Sequence, residues 1–332
     1  MRAGVLMLAA ATVFAATRPH YGGTLRVEVR ESVETADPPQ TGTGMADLNG
    51  AFAITLWEAG HRAVYAASDG APGGRPFLDS IEIEMARPLP SQSIDLDLSR
   101  ADLVQLDPNE SRRAASGRKV WSSAPVRLLL LEFAPRIDDA RVREAMALAV
   151  DRNAIHNVLL QRQGEVTAAV LPQWLSGYAF LFPSGSDLPR ARALVAGVPP
   201  QGRALSLSVP DASQKRIADR IALNARDAGL MVSQVPAGTV ADVRLVEVRI
   251  ASSEPARALA GVAAALGLSV PGRMDSPESL LAAERAMVEG FRVIPLFHLP
   301  EVYGVNPRLK GGPGITPLGE WRFENLWVEG RP

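Results

Sequence analysis

From residue 126 onward the chain repeats one rhythm, an apolar stretch of strand length followed by apolar residues at helical spacing. Val126 to Phe133 is a mainly apolar run of the kind a strand buried on both faces requires. Asp138 and Asp139 then precede Val142, Ala145, Met146 and Ala149, the i, i+3, i+4, i+7 stripe of an amphipathic helix behind an acidic N-cap. Asp151 can cap a continuation through Ile155, Val158 and Leu159. Leu205, Leu207 and Val209 alternate with serines as a strand, and Ile217, Ile221, Ala225 and Ala228 form a helical stripe that stops at Gly229. Val243 to Ile250 reads as strand, and Ser276-Pro277 opens a helix bearing Leu280, Ala283, Met287 and Phe291. Val293 to Phe297 returns as a strand, with Pro295 placing part of it at a sheet edge. Helices between strands supply the long crossovers that parallel strands need, so this half is α/β.

The first half has a different texture. Leu25, Val27 and Val29 alternate with polar neighbours, as do Phe52, Ile54 and Leu56, and then Ile81, Ile83 and Met85; Ala63 to Ala66 adds a further β segment. Ser93 to Leu106 predicts a helix ending at Asp107-Pro108. Two lobes follow: a strand-rich lobe over 17–125, an α/β lobe over 126–296, and a return segment, 297–332, packing on the first. Ahead of them, Arg2 and the uncharged run Ala3 to Ala16 predict a signal peptide over 1–16, because the run falls short of the roughly 20 residues of a permanent span. The chain has no cysteine, hence no disulfide and no acceptor for a bacterial lipoprotein anchor. A periplasmic or otherwise extracytoplasmic protein, soluble after signal removal, is expected.

Composition and motifs exclude several functions. Lys and Arg total 35 against 36 Asp and Glu, so the concentrated basic face that nucleic acid requires is not expected. There is no GxSxG, HExxH, P-loop or GxGxxG after a strand. His20, His61, His156 and His298 lie far apart, without ligand spacing, so neither metal nor cofactor is expected. Ser116-Gly117-Arg118-Lys119 fits S-x-x-K, but it sits among arginines in a loop and lacks the helix N-terminus that such a serine needs. The chain does not read as an enzyme.

Two stretches carry candidate ligand contacts. Trp174, Tyr178, Phe180 and Phe182 crowd nine positions of a chain only 5% aromatic, among Pro172, Gly177 and Pro183. Rings on a loop either line a ligand cleft or fold back onto the core. Phe297 to Tyr303 joins a strand end to polar groups able to orient a ligand, or else forms a surface crossover. The candidate site is Trp174, Tyr178, Phe180, His298, Glu301 and Tyr303.

Several blocks resemble the family 5 extracellular solute-binding proteins, which bind dipeptides, oligopeptides or nickel for ABC importers. Gly22-Gly23-Thr24-Leu25-Arg26-Val27 is similar to the family's opening strand, and Gly74 to Ile81 to its "grPyLDsI" block. Asp138 to Ile155 resembles the "vRqAlayAiDR..I" helix, Arg192 to Val195 the "Ak.LL" step, and Ile294-Pro295-Leu296 the late return strand. The resemblance implies a two-lobed fold of the periplasmic-binding-protein kind (class II type). It also implies a peptide-like or small amphipathic solute held between the lobes, and ABC permease subunits as membrane partners of a monomer. The family's large N-terminal insert is missing, which shortens the first lobe. Where peptide binders carry an Asp-rich "aDYpDP" segment, this chain reads Ile250-Ala251-Ser252-Ser253-Glu254-Pro255, so a solute is expected to be held by rings and backbone rather than by an anchored amino terminus. The competing reading is an interaction protein that kept the fold and lost the ligand.

Overall fold

The computed structural model describes residues 18–35, 45, 48, 50–107, 119–209, 211–270 and 272–329. The expected signal peptide and Ser116 to Arg118 of the S-x-x-K match lie outside the described residues.

Strands β1 (Thr24–Glu28), β2 (Phe52–Glu58), β3 (Arg62–Ala67), β4 (Ser80–Glu84) and β5 (Leu103–Gln105) build the first lobe, with helix α1 (Leu89–Asp97) between β4 and β5. The helix expected over 93–106 is therefore a correction. It starts earlier and ends at Asp97, and the chain turns through Ser99 at φ 55° into β5, where Leu103 and Val104 are fully buried. Strand burial outweighs the helix-compatible spacing of Asp and Leu.

Strand β6 (Lys119–Phe133) enters the second lobe, which contains β7 (Glu165–Val166), β8 (Ala204–Ser208), β9 (Met231–Val235) and β10 (Val243–Arg249). Its helices are α2 (Ala140–Ala149), α3 (Leu188–Ala196), α4 (Lys215–Asp227), α5 (Pro255–Ala265) and α6 (Pro277–Val288). Strand β11 (Val293–Val305) leads back, and β12 (Leu309–Lys310) pairs β13 (Trp327–Val328) on the first lobe. The helix starts follow their caps. Asp139 accepts from the Arg141 N–H, Asp151 from the Ala154 N–H, and Ser276 forms a capping box with Ser279.

All strands except β12 and β13 join one sheet in the order β2-β3-β4-β1-β5-β11-β6-β10-β8-β9, with β7 also on β11. Period-two alternation along β6 feeds two cores. Leu129, Leu131 and Phe133 pack with Val142 and Met146 of α2, Val195 of α3 and Ile221 of α4. Leu128 and Leu130 pack on the opposite face with Leu259 and Val262 of α5 and Met287 of α6. Both faces are covered, as the apolar run requires. A separate core holds Leu25, Ile81, Leu103, Trp121, Tyr303, Trp321 and Phe323.

The chain passes between these cores in two antiparallel strands, β6 and β11. Residues 126 and 297, the expected lobe boundaries, lie inside those strands rather than at element ends. Pro295 does not mark an exposed edge. All 13 residues of β11 are buried, so Pro295 is not exposed; it pairs with Leu130 of β6, while β7 joins the other side at Phe297 and His298 and β5 only at Tyr303 to Val305. The proline is accommodated at a register shift between Pro295 and Phe297, and its carbonyl accepts from Arg152 Nε and a terminal guanidinium nitrogen, both at 3.2 Å. At the crossing Pro300 faces Pro125, with register shifts on both sides of Pro300. Neither proline has an N–H, so the ladder is poorest in hydrogen bonds between the two lobes.

Candidate ligand-binding site

The crossing strands carry opposite charges into the interior. Arg127 on β6 meets three carboxylates: Glu301 of β11 at 3.1 Å, Glu247 of β10 at 2.7 Å and Glu31, just after β1, at 2.9 Å. Arg249 of β10 reaches Glu301 at 3.0 Å, and the Glu301 N–H donates to Ser123 Oγ at 2.8 Å. Arg30, on the first lobe, reaches across to the second, pairing with Glu247 at 2.7 Å and with Asp211. Gln214 donates to the other oxygen of Glu247 at 2.7 Å, and Gln105 of β5 donates to Glu31 at 2.7 Å.

Burial opposes these charges, and their partners restore them. Burial alone would raise the Glu31 carboxyl, but Arg127 and Arg30 bring it down to about 2. Glu247 is lowered in the same way against the same opposition from burial. Arg127 is pushed well above its ordinary range, because Glu301, Glu247 and Glu31 outweigh its desolvation. Burial, then the Glu301 charge, raises the Tyr303 hydroxyl.

A cavity of about 70 Å³ opens beside this network, lined by residues of both lobes and of both crossing strands, among them Arg30, Gln105, Arg127, Gln214, Glu301 and Tyr303. It has room for a few water molecules, at about 10–15 Å³ each, and is smaller than the roughly 300 Å³ of a drug-sized pocket. Gly319 closes over its carboxylate. At φ 76°, a Cβ there would stand 2.2 Å from Glu301 Oε2, so only glycine fits the turn.

Of the six residues singled out in the sequence, Glu301 and Tyr303 line this cavity, and Trp174, Tyr178, Phe180 and His298 do not. Those four belong to the 168–182 loop and its anchorage. Glu284 of α6, fully buried, accepts from the N–H groups of Val170 at 2.6 Å and Leu171 at 2.9 Å, and from the Tyr178 hydroxyl. His298 lies under the same loop, with Nε2 3.0 Å from the Val170 carbonyl. Burial pushes this imidazole down to about 4, which keeps it neutral, with the Nε2 proton donated to that carbonyl. Phe180 is 54% exposed. Trp174 stands nearest the crossing, half-exposed, its indole N–H donating to the Pro125 carbonyl at 3.3 Å. Glu254 is an exposed surface group paired with Arg257 at 2.8 Å.

Sequence reading missed Arg30, Glu31, Arg127, Glu247 and Arg249. For three of these a signal was present: Arg127 stands beside the apolar run Leu128 to Leu131, and Glu247 and Arg249 alternate with Val246 and Val248 in another strand. A charge inside a strand covered on both faces needs a partner.

Among the described residues, no group of three or more His, Asp or Glu side chains is placed to hold a metal ion, and no helix is long and apolar enough to cross a membrane.

A mixed α/β fold with separate cores in each lobe, crossed by two strands over a charged cavity, defines the two-lobed binding-protein class, here with a reduced N-terminal lobe. The family model for bacterial extracellular solute-binding proteins, family 5 (middle region), matches residues 6–242, and the chain belongs to that family. Its fold is similar to that of NikA from Staphylococcus aureus, solved with Ni(L-His)2, at 13% identity and a TM-score of 0.72, covering 84% of this chain and 68% of that one. It is likewise similar to the periplasmic binding protein DppA from Helicobacter pylori, solved with a peptide, at 15% identity and a TM-score of 0.70, covering 84% of this chain and 63% of that one. The oligopeptide-binding protein AppA from Bacillus subtilis, solved with a nonapeptide, aligns at 14% identity and a TM-score of 0.66, over 86% of this chain and 70% of that one. The chain thus spans about two thirds of the length of these structures. No curated protein sequence matches it.

Proposed function

We propose that this chain is the extracytoplasmic solute-binding component of an ABC import system, a binding protein rather than an enzyme. In this reading it takes up a small solute between its lobes and presents it to membrane permease subunits. The observation that carries the reading is the cavity at the crossing, where each lobe contributes one wall and β6 and β11 contribute the floor. The facing prolines Pro125 and Pro300 give that floor a hydrogen-bond-poor line about which the lobes can rotate. In this reading solute contacts come from Arg127, Glu301 and Tyr303, with Trp174 at the margin, so charged groups join the rings and backbone expected from sequence. Family membership and the peptides bound in two of the similar structures support a peptide-like or other small polar solute.

The test is a melting-temperature screen of the exported protein against peptides, sugars, amino acids, amines and metal ions. A solute at a hundredfold excess over its Kd stabilises a protein by about 2.7 kcal/mol, which such a screen detects. A second reading, an interaction protein without a solute, is favoured by one feature: the charges lining the small cavity already pair with one another. It predicts that no compound moves the melting temperature.

A further inference from the structure

The charges of the cleft come from both lobes, yet one of them behaves as a guest of the other side. Arg30 is fixed to the first lobe by its backbone: its N–H donates to Gln105 Oε1 at 2.7 Å, and the Gln105 N–H donates in turn to Gln92 of α1 at 2.8 Å. Its guanidinium keeps one contact on that lobe, Nε to Glu31 at 3.5 Å, while both terminal nitrogens enter an acidic recess of the second, between Asp211 and Glu247. Glu247 is already paired with Arg127 and Gln214, so the recess is built and oriented without Arg30. Counted together, Arg30, Arg127 and Arg249 face Glu31, Asp211, Glu247 and Glu301. Removal of Arg30 leaves two cations for four carboxylates.

We propose that Arg30 is an internal occupant of the binding cleft. Its guanidinium fills the Asp211–Glu247 recess and latches the empty lobes shut, and the cleft admits solutes whose own guanidinium replaces it. The proposal rests on the reading of the inter-lobe cavity as the solute site and names the solute's cationic group. A planar donor fork fits two carboxylates in a way that a point-charge ammonium does not. The latch also accounts for a cavity that is small and charge-paired, which the interaction-protein reading explains only by loss of function.

The test uses Arg30→Ala in the full chain, with methylguanidinium as probe and N-methylurea and methylammonium as controls. The protein lacks cysteine, so cysteines introduced at Asp69 and Val240, both well exposed, accept spin labels that report lobe separation. Without a probe, Arg30→Ala should melt lower than the wild type and show a longer inter-lobe distance. Methylguanidinium should restore both saturably, at least about tenfold more tightly than N-methylurea and more tightly than methylammonium. The wild type should respond to none of them at the same concentrations. Asp211→Asn removes one of the two carboxylates that hold Arg30 from the other side, leaving Glu247, and should open the wild-type chain in part, but not open Arg30→Ala further. An unchanged distance in Arg30→Ala, or the same probe response in wild type and variant, overturns the proposal whatever solute the wild type binds. If the variant opens and is rescued by methylguanidinium while no solute ever moves the wild type, the latch stands, and both the import reading and the replacement of Arg30 by a solute's guanidinium fall.

Discussion

Replacing Arg127 by Met tests the buried network where its energy is concentrated. The guanidinium is only 15% exposed and lies within 3.1 Å of three carboxylates, from Glu31, Glu247 and Glu301. Methionine retains most of the aliphatic volume, so the loss is electrostatic rather than a cavity. Breaking a buried pair from one side costs about 3–5 kcal/mol, because the remaining charge stays in the interior without its partner. Here three acids are left, although Arg30, Arg249 and Gln105 continue to serve them, so the same range applies rather than a multiple of it. With a urea slope of about 3 kcal/mol per molar, the unfolding midpoint should fall by about 1–1.7 M. Circular dichroism and tryptophan fluorescence should give coincident transitions. Adding Glu247→Gln to the Met variant should recover part of the loss, since one orphaned acid is neutralised, whereas Glu247→Gln alone should destabilise. A loss below about 1 kcal/mol, the level of an exposed pair, or strict additivity of the two changes, would refute the account of this network.

Other outcomes follow from the same geometry. The Glu28 carboxyl is raised from 4.5 to about 7, mainly by burial, against the opposing charge of Arg87. Its folded form therefore keeps a proton that the unfolded chain releases, and stability falls as pH rises from about 4.5 to about 7; in urea titrations across this window Glu28→Gln should remove that decline. His298 acts in the opposite sense: it stays neutral down to about 4, while the unfolded chain takes up a proton below 6.5, so its contribution is lost as pH falls from 6.5 towards 4. Comparing wild type and His298→Gln over that interval should isolate this acid-side loss. Tyr178→Phe deletes the hydroxyl that serves the buried Glu284; it should cost about 1–3 kcal/mol and speed hydrogen exchange in the 168–182 loop. Gly319→Ala forces a positive-φ turn against Glu301 and should cost about 1–3 kcal/mol in urea unfolding, while Gly312→Ala, where an added Cβ meets nothing within 4 Å, should be nearly neutral.

Much of the second lobe was legible because its signals are local. Asp139, Asp151 and Ser276 do cap helix starts, and Gly229 does follow a helix, at φ 95°. The run from 126 to 133 is covered on both faces, as its composition requires. Where the reading failed, the deciding contact was distant. The 93–106 helix gave way to β5 because Leu103 and Val104 find places between β1 and β11, strands about 75 and 200 residues away in the chain. A proline lacks a ladder donor and so reads as an exposed edge; Pro295 is instead buried through a bulge and an arginine, Arg152, that no local pattern ties to it. The charged cavity was hidden for the same reason. Residues 30, 127, 247 and 301 meet only once the topology is known, whereas the aromatic loop drew attention through composition alone.

The central claim is that one solute is held by both lobes at once, and hydrogen–deuterium exchange with and without a solute found by the melting screen tests it most directly. The account predicts slower exchange in two separate stretches at the same solute concentration: Gln105 to Asp107 on the first lobe and Ser213 to Ile217 on the second, which contribute to opposite walls of the cavity. Protection confined to one lobe, or to the Trp174–Phe182 loop with the cavity walls unchanged, would contradict it.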